Sequence, residues 1–347
     1  MAINCFFLDV GQGTSQIIRL TNNRAIVIDT GTKGRNLCLI LLKEWKIRTI
    51  EALILTHDHS DHTGGALEII QEYQNNIKKI YFNPSDNTTF LIDLAVVVYP
   101  LLTDSLYSDL IECKCVRSPR SLYNDTENEI ELLYPSSNEY AISINNNDLN
   151  YGAGIILLKS NNRQILFSSD APYSAFEQIY QNRGKPLVVD IVTISHHGGD
   201  INATPNQLNN LFSSYLKTKF AIVSVGTRNS YNHPNPNIIR TIANHNIGLF
   251  CTQITSACCP EESLEIWRNI RGDFGLDYSS STFQIDITVD NDHELSRNVA
   301  CAGTIIATIS EYGTVINQLE DLYSTKEKLK NRIPNSSPCC NASCNCE

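Results

Sequence analysis

Hydrophobic and polar positions along the chain fall into two recurring patterns. One is a short, nearly continuous apolar run; the other repeats apolar residues at three- and four-residue spacing. The first half opens on β-like runs at Phe6-Phe7-Leu8, Ser15 to Leu20 and Ala25 to Ile28, the last two separated by the polar turn Thr21-Asn22-Asn23-Arg24. Leu37 to Trp45 has helical spacing, residues 50–56 form a further apolar run, and Gly65 to Gln74 sets Leu67, Ile70 and Tyr73 on one side. The second half repeats the alternation. Strands are predicted at Ile155 to Leu158 and Gln164 to Phe167 around an Asn161-Asn162 turn, then a helix at Ser174 to Arg183 and a buried strand at Leu187 to Ile194. A helix at Gln207 to Leu216, a strand at Phe220 to Val225 and a helix at Pro236 to Asn244 follow. Alternation of this kind predicts an α/β fold whose sheets are covered by helices.

The remaining segments carry weaker patterns. Phe90 to Leu102 fits a helix or a buried strand, and residues 117–150 are rich in Asn, Ser and Glu with Ile130 to Tyr134 as the main core signal. Past residue 250, Phe283 to Val289 and Thr304 to Ile309 are β-like, and Val315 to Lys330 is predicted helical, amphipathic from Leu319 to Leu329. The expected division is a core over 1–250, a β extension packed on it over 251–317, and a helix with a cysteine-rich tail over 318–347. No internal repeat of fixed period is present.

Candidate chemistry concentrates where apolar runs end. Ile50 to Leu55 runs into Thr56-His57-Asp58-His59-Ser60-Asp61-His62, followed by Gly64-Gly65. Three imidazoles and a carboxylate in an H-x-H-x-D-H pattern at the end of a buried strand converge on a small volume. Neutral imidazole and carboxylate suit a borderline dication such as zinc, manganese or iron. Two further runs end in ligand types: Ile165 to Ser169 ends at Asp170, and Asp190 to Ser195 ends at His196-His197-Gly198-Gly199. A two-metal site needs a bridging carboxylate and additional imidazoles, and these segments supply both.

Composition narrows the setting. The 347 residues carry a formal charge of −10, which argues against nonspecific binding to a polyanion, although bound dications reverse the local field around a phosphate. The N-terminus lacks a basic leader and reads directly as a strand, and no apolar run is long enough to span a bilayer. Twelve cysteines without an export signal predict reduced thiols, and with them a soluble, cytoplasmic chain without membrane insertion. Cys339, Cys340, Cys344 and Cys346 crowd the tail without the paired spacing of zinc knuckles, which reads as a disordered terminus. A metal or redox tail is the alternative reading of those thiols, and a protein partner for the C-terminal helix and tail is the alternative to packing on the core.

The ordered set LDVGQG (8–13), IDTG (28–31), THDHSDHTGG (56–65), SSDAP (168–172), SHHGG (195–199) and SVGTRNSYNHP (224–234) resembles the metallo-β-lactamase-fold hydrolases. It is most similar to the stand-alone relatives of the hydrolase domain of ComEC-type DNA-uptake proteins. The resemblance implies a four-layer αββα sandwich of two mixed β-sheets flanked by helices. It implies two divalent ions, zinc with manganese or iron as alternatives. His57, His59 and Asp170 would hold one; Asp61, His62, Asp170 and His196 or His197 the other, with Asp170 bridging. Asp9 and Asp29 would orient ligands from behind. A hydroxide bridging the metals would attack, Asp61 would accept a hydrogen bond from it, and His197 or His233 would serve the leaving group. Ser224, Thr227 and Tyr231 would contact phosphate oxygens. The implied activity is a metal-dependent phosphodiesterase acting on a nucleotide or nucleic acid. Ester, thioester or lactone hydrolysis at the same centre is the runner-up, and an inactive metal-binding interaction module the third reading. One departure from the wider family stands out: no histidine lies between His62 and His196, so one metal position has fewer protein ligands unless Asn150 or Tyr151 stands nearby.

Overall fold

The computed structural model describes residues 2–34, 36–83, 96, 112–226, 229–253, 255, 257 and 303–318. Apart from Val96, the segment predicted at 90–102 lies outside these residues. So do the β-like run Phe283 to Val289, Cys258, Cys259 and Cys301, Thr227, and the helix and tail beyond Gln318.

In chain order the strands are β1 (Ile3–Phe7), β2 (Ser15–Arg19), β3 (Arg24–Thr30), β4 (Thr49–Ile54), β5 (Lys79–Tyr81), β6 (Glu112–Lys114), β7 (Arg120–Asn124), β8 (Asn128–Tyr134), β9 (Ile155–Ser160) and β10 (Arg163–Phe167). They continue with β11 (Leu187–Val188), β12 (Ile191–Thr193), β13 (Leu216–Lys217), β14 (Phe220–Val223), β15 (Gly248–Cys251), β16 (Ile305–Ser310) and β17 (Gly313–Gln318). An eight-stranded sheet has the order β17-β16-β1-β2-β3-β4-β5-β6, and a seven-stranded sheet the order β15-β14-β12-β10-β9-β8-β7. Both are mixed: β1-β2-β3 and β8-β9-β10 are antiparallel, while β3-β4-β5 and β10-β12-β14-β15 are parallel. The hairpin turns have a local cause. Asn22-Asn23 and Asn161-Asn162 all adopt positive φ, which suits the tight turns between right-twisted strands, and Asn tolerates that region.

Strand alternation sorts the core into three clusters. Cys5, Phe7, Ala52 and Ile54 of the first sheet face Ile165, Phe167, Ile156 and Ile222 of the second, forming the central layer. The intervening residues point outward. Phe6 and Leu53 pack under helices Leu37–Glu44 and Ala66–Glu72. Leu166 and Val192 pack under helices Tyr173–Arg183, Pro205–Asn210 and Pro236–Asn244. Strands buried on both faces read as unbroken apolar runs, which is the pattern of the sequence here. The result is a helix–sheet–sheet–helix sandwich.

Three expected elements differ. The predicted strand Leu187 to Ile194 is two pieces: Leu187–Val188 pairs with β13 in a small sheet, and Ile191–Thr193 enters the large one. Asp190 divides them, because its carboxylate accepts from the Gln164 amide and pairs with Arg163 and Lys219. The predicted helix Gln207 to Leu216 is a helix at Pro205–Asn210, begun by a Thr204–Gln207 capping box. It widens into a π-turn at Leu211–Tyr215 before Leu216 joins a strand. Val315 to Gln318, expected as the start of a helix, belongs to β17, which pairs antiparallel with β16. That hairpin extends the first sheet beside β1. In the polar stretch 117–150, β7, β8 and the helix Ser137–Asn145 form, the helix opened by a Ser136–Glu139 capping box.

Candidate metal centre

Strands from both sheets end at one place. β4 gives way to Thr56 and His57, β10 to Ser168, Ser169 and Asp170, β12 to the turn bearing His196 and His197, and β14 to Ser224. The two sheets are tied there by the Gly154 amide donating to the Thr56 carbonyl at 3.2 Å and by a 2.6 Å contact between the Thr56 and Ser169 hydroxyls. Asp29, Ser169, His196 and His197 all adopt positive φ. For residues other than Gly or Asn this costs of order 1–3 kcal/mol each, and such outliers mark sites where the surrounding structure fixes a side chain's direction.

Two clusters of ligand atoms result. His57, His59 and Asp170 form one; Asp61, His62 and His197 form the other, and within each the atoms lie within 4.8 Å of one another. His57 Nε2 is 2.9 Å from His59 Nδ1 and 3.8 Å from Asp170 Oδ2. The other Asp170 oxygen, Oδ1, is 3.2 Å from His62 Nε2 and 3.8 Å from His197 Nε2. His197 Nε2 lies 3.2 Å from Asp61 Oδ2. Asp170 therefore turns one oxygen to each cluster, the arrangement a bridging ligand requires.

The remaining ring nitrogens are occupied from behind. His62 Nδ1 is 2.7 Å from Asp29 Oδ2. His197 Nδ1 donates to the Ser224 carbonyl at 2.8 Å. His57 Nδ1 lies 3.2 Å from the Thr56 hydroxyl and 3.4 Å from that of Ser169. These contacts direct each Nε2 inward. His62 Nε2, His197 Nε2 and Asp170 Oδ1 are buried and make no hydrogen bond. Buried polar atoms without partners are costly unless an ion satisfies them, so the residues fit a pair of dications.

Electrostatics divide the two clusters, lowering the rings of His57 and His59 and raising those of His62 and His197 beside the carboxylates. Burial, reinforced by His62, pushes the His57 imidazole well below its usual range, leaving it neutral and able to ligate. Burial lowers His59 too. Burial opposes the charge on His62, but the Asp170 and Asp29 carboxylates outweigh it and hold that ring well above the usual range. Burial raises and His62 and His197 lower Asp170, with the lowering dominant.

The other expected residues are placed as follows. His196, at half-exposed position, turns Nδ1 to the Asp200 carbonyl at 2.8 Å and Nε2 to Asn150 Nδ2 at 3.4 Å, so of the adjacent pair it is His197 that enters a cluster. His233 is buried beside both, its ring 5.2 Å from that of His196 and 6.4 Å from that of His197. Burial and those two histidines lower it to about 4. Asp29 sits behind His62, on the side of the ring away from Asp170. Asp9 accepts from Gln253 Nε2 at 2.7 Å, and its amide donates to Thr304, stitching the first loop to the C-terminal segment. Ser224 reaches the site through its carbonyl, and Tyr231 lies exposed at the rim. Thr56 and Ser169 were missed as functional residues by sequence reasoning, although both stand inside the quoted motifs next to ligands. Gln12 was missed as well; its Oε1 accepts from the Gly226 amide at 3.1 Å and joins the first glycine loop to the loop after β14.

Residues 8–82 match the Metallo-beta-lactamase superfamily. The chain is 23% identical over 251 residues to competence protein ComA of Neisseria gonorrhoeae, covering 72% of this chain and 31% of that protein. It is 22% identical over 269 residues to ComE operon protein 3 of Bacillus subtilis, covering 71% and 31%. It therefore spans about a third of the length of these relatives. Over 77 residues, 22% of this chain and 23% of the other, it is 35% identical to the atrochrysone carboxyl ACP thioesterase of Passalora fulva. The sandwich and the His/Asp clusters fit the superfamily that residues 8–82 match, and the chain is distantly homologous to the competence proteins.

Proposed function

We propose that this chain is a metal-dependent phosphodiesterase acting on a nucleotide or nucleic acid. The observation that carries the hydrolase reading is the pair of His/Asp clusters joined through Asp170, with the Nε2 atoms of His62 and His197 turned inward by bonds on the far side of their rings. His57, His59 and Asp170 would hold one cation and Asp61, His62, His197 and Asp170 the other, with zinc the expected ion and manganese or iron the alternatives. When bound, two dications acidify water towards neutrality and neutralise charge developing on a substrate oxygen.

The chain's own groups do the rest. Asp61, half-buried at the rim, accepts a hydrogen bond from the attacking water and fixes its approach. His233, neutral and with Nδ1 making no hydrogen bond, can present a ring N–H to the leaving oxygen. The choice of phosphorus over carbonyl rests on the resemblance to the competence proteins. A second reading, thioester hydrolysis, is favoured by the 77-residue likeness to the carboxyl ACP thioesterase, which takes in 22% of this chain.

A substrate panel tests both. Bis-p-nitrophenyl phosphate, a cyclic nucleotide, single-stranded DNA and a thioester are offered to the metal-loaded wild type and to Asp61→Ala. Hydrolysis of a phosphodiester that is lost in a folded Asp61→Ala supports the proposal. Brisk thioester cleavage with no phosphodiester turnover overturns it in favour of the second reading.

A further inference from the structure

Tyr231 is 69% exposed although it stands beside the buried centre. Its ring stacks on His233 at 5.5 Å and 30°, and His233 in turn lies 6.4 Å from His197 with planes 19° apart. Three rings thus form a column from solvent to a cluster residue. The segment that carries Tyr231 and His233 is anchored by Asn229. Asn229 Nδ2 donates to the Gly226 and His233 carbonyls, and its Oδ1 accepts from the His233 amide. Gly199 passes so near that a Cβ there would lie 2.4 Å from His233 Nε2, which confines the ring. An exposed aromatic ring fixed in advance offers a flat, amphipathic contact area at little entropic cost.

We infer that Tyr231 is a stacking platform for the nucleobase of a nucleotide whose phosphate enters the metal centre. The inference rests on the phosphodiesterase reading and names its ligand more closely. A ring face recognises any base, because every base has a π-face and stacking does not read hydrogen-bonding edges. Tyr231 is thereby a specificity-determining residue for base-bearing over base-free phosphates, and its contact is made by the ring rather than by the hydroxyl.

The test is equilibrium binding by calorimetry on the metal-loaded full chain, using adenosine 5′-monophosphate and ribose 5-phosphate, which share the phosphate and differ in the base. Wild type and Tyr231→Phe are expected to prefer the nucleotide by roughly fivefold to a hundredfold, the range a single base stack supplies. Tyr231→Ala is expected to lose that preference while binding ribose 5-phosphate as before. Equal binding of the two ligands by wild type, or a preference that survives in Tyr231→Ala, overturns the inference. The readout does not depend on turnover. A base preference without phosphodiester hydrolysis would sink the proposed reaction alone, and hydrolysis without a base preference would sink the stacking role alone.

Discussion

Asp29 Oδ2 lies 2.7 Å from His62 Nδ1, and both side chains are fully buried. The same carboxylate accepts from the Thr56 amide and the Thr56 hydroxyl at 2.8 Å each. One acidic residue at the end of β3 therefore fixes a ring of one cluster and the chain segment that precedes His57 of the other. Asp29→Asn is expected to lower metal affinity about 10–100-fold, the usual cost of removing an orienting partner. Competition with a chromophoric chelator measures it, with circular dichroism to confirm folding. Unchanged affinity would show that His62 is held by other means.

The adjacent histidines give a sharper contrast. His197 Nε2 faces Asp61 and Asp170, while His196 is engaged by Asp200 and Asn150. His197→Ala is expected to reduce the number of ions retained per chain, and His196→Ala to leave it unchanged. Elemental analysis of the purified variants reads this directly. The reverse result would exchange the two assignments.

Much of this arrangement is legible in the sequence because the ligands follow apolar runs. Leu53-Ile54-Leu55 and Leu166-Phe167 are buried on both faces, so their composition announces strands, and the polar residues that end them announce the sheet edge. The split at Asp190 was not legible, since a lone carboxylate in Leu187 to Ile194 acquires its meaning from Arg163 and Lys219, remote in sequence. The same holds for the hydroxyls of Thr56 and Ser169, which meet across 113 positions of sequence. β17 is hidden in the sequence because β-branched Thr314, Val315 and Ile316 run directly into a long amphipathic pattern of helical spacing.

Gly64 supports the centre by being small. A Cβ at Gly64 would lie 2.3 Å from the Lys33 amide nitrogen and 2.4 Å from the Thr32 carbonyl carbon, both main-chain atoms that cannot swing aside. The Gly64 amide also donates to the Gly31 carbonyl at 2.8 Å, so the loops after β3 and β4 are in direct contact. Gly64→Ala is expected to cost about 1–3 kcal/mol through overpacking. A fall in the urea midpoint at unchanged slope would register it; an unaltered midpoint would mean the two loops can part without loss.

Asp125 offers a pH-dependent contribution away from the centre. Burial raises its carboxyl, but the Tyr123 hydroxyl and the Glu127 and Asn128 amides donate to it and hold it below the ordinary carboxylate range. A carboxyl depressed in the folded state binds a proton more readily when unfolded. Its stabilising share is therefore complete above the unfolded value of about 3.9 and is lost as pH falls from there through the folded value. Asp125→Asn keeps an acceptor for the amides and removes the titration. The variant's urea midpoint is expected to decline less steeply with acidification than that of wild type, since it starts lower at neutral pH and has less to lose. Parallel acid limbs in the two proteins would mean that the hairpin between β7 and β8 does not couple proton binding to folding.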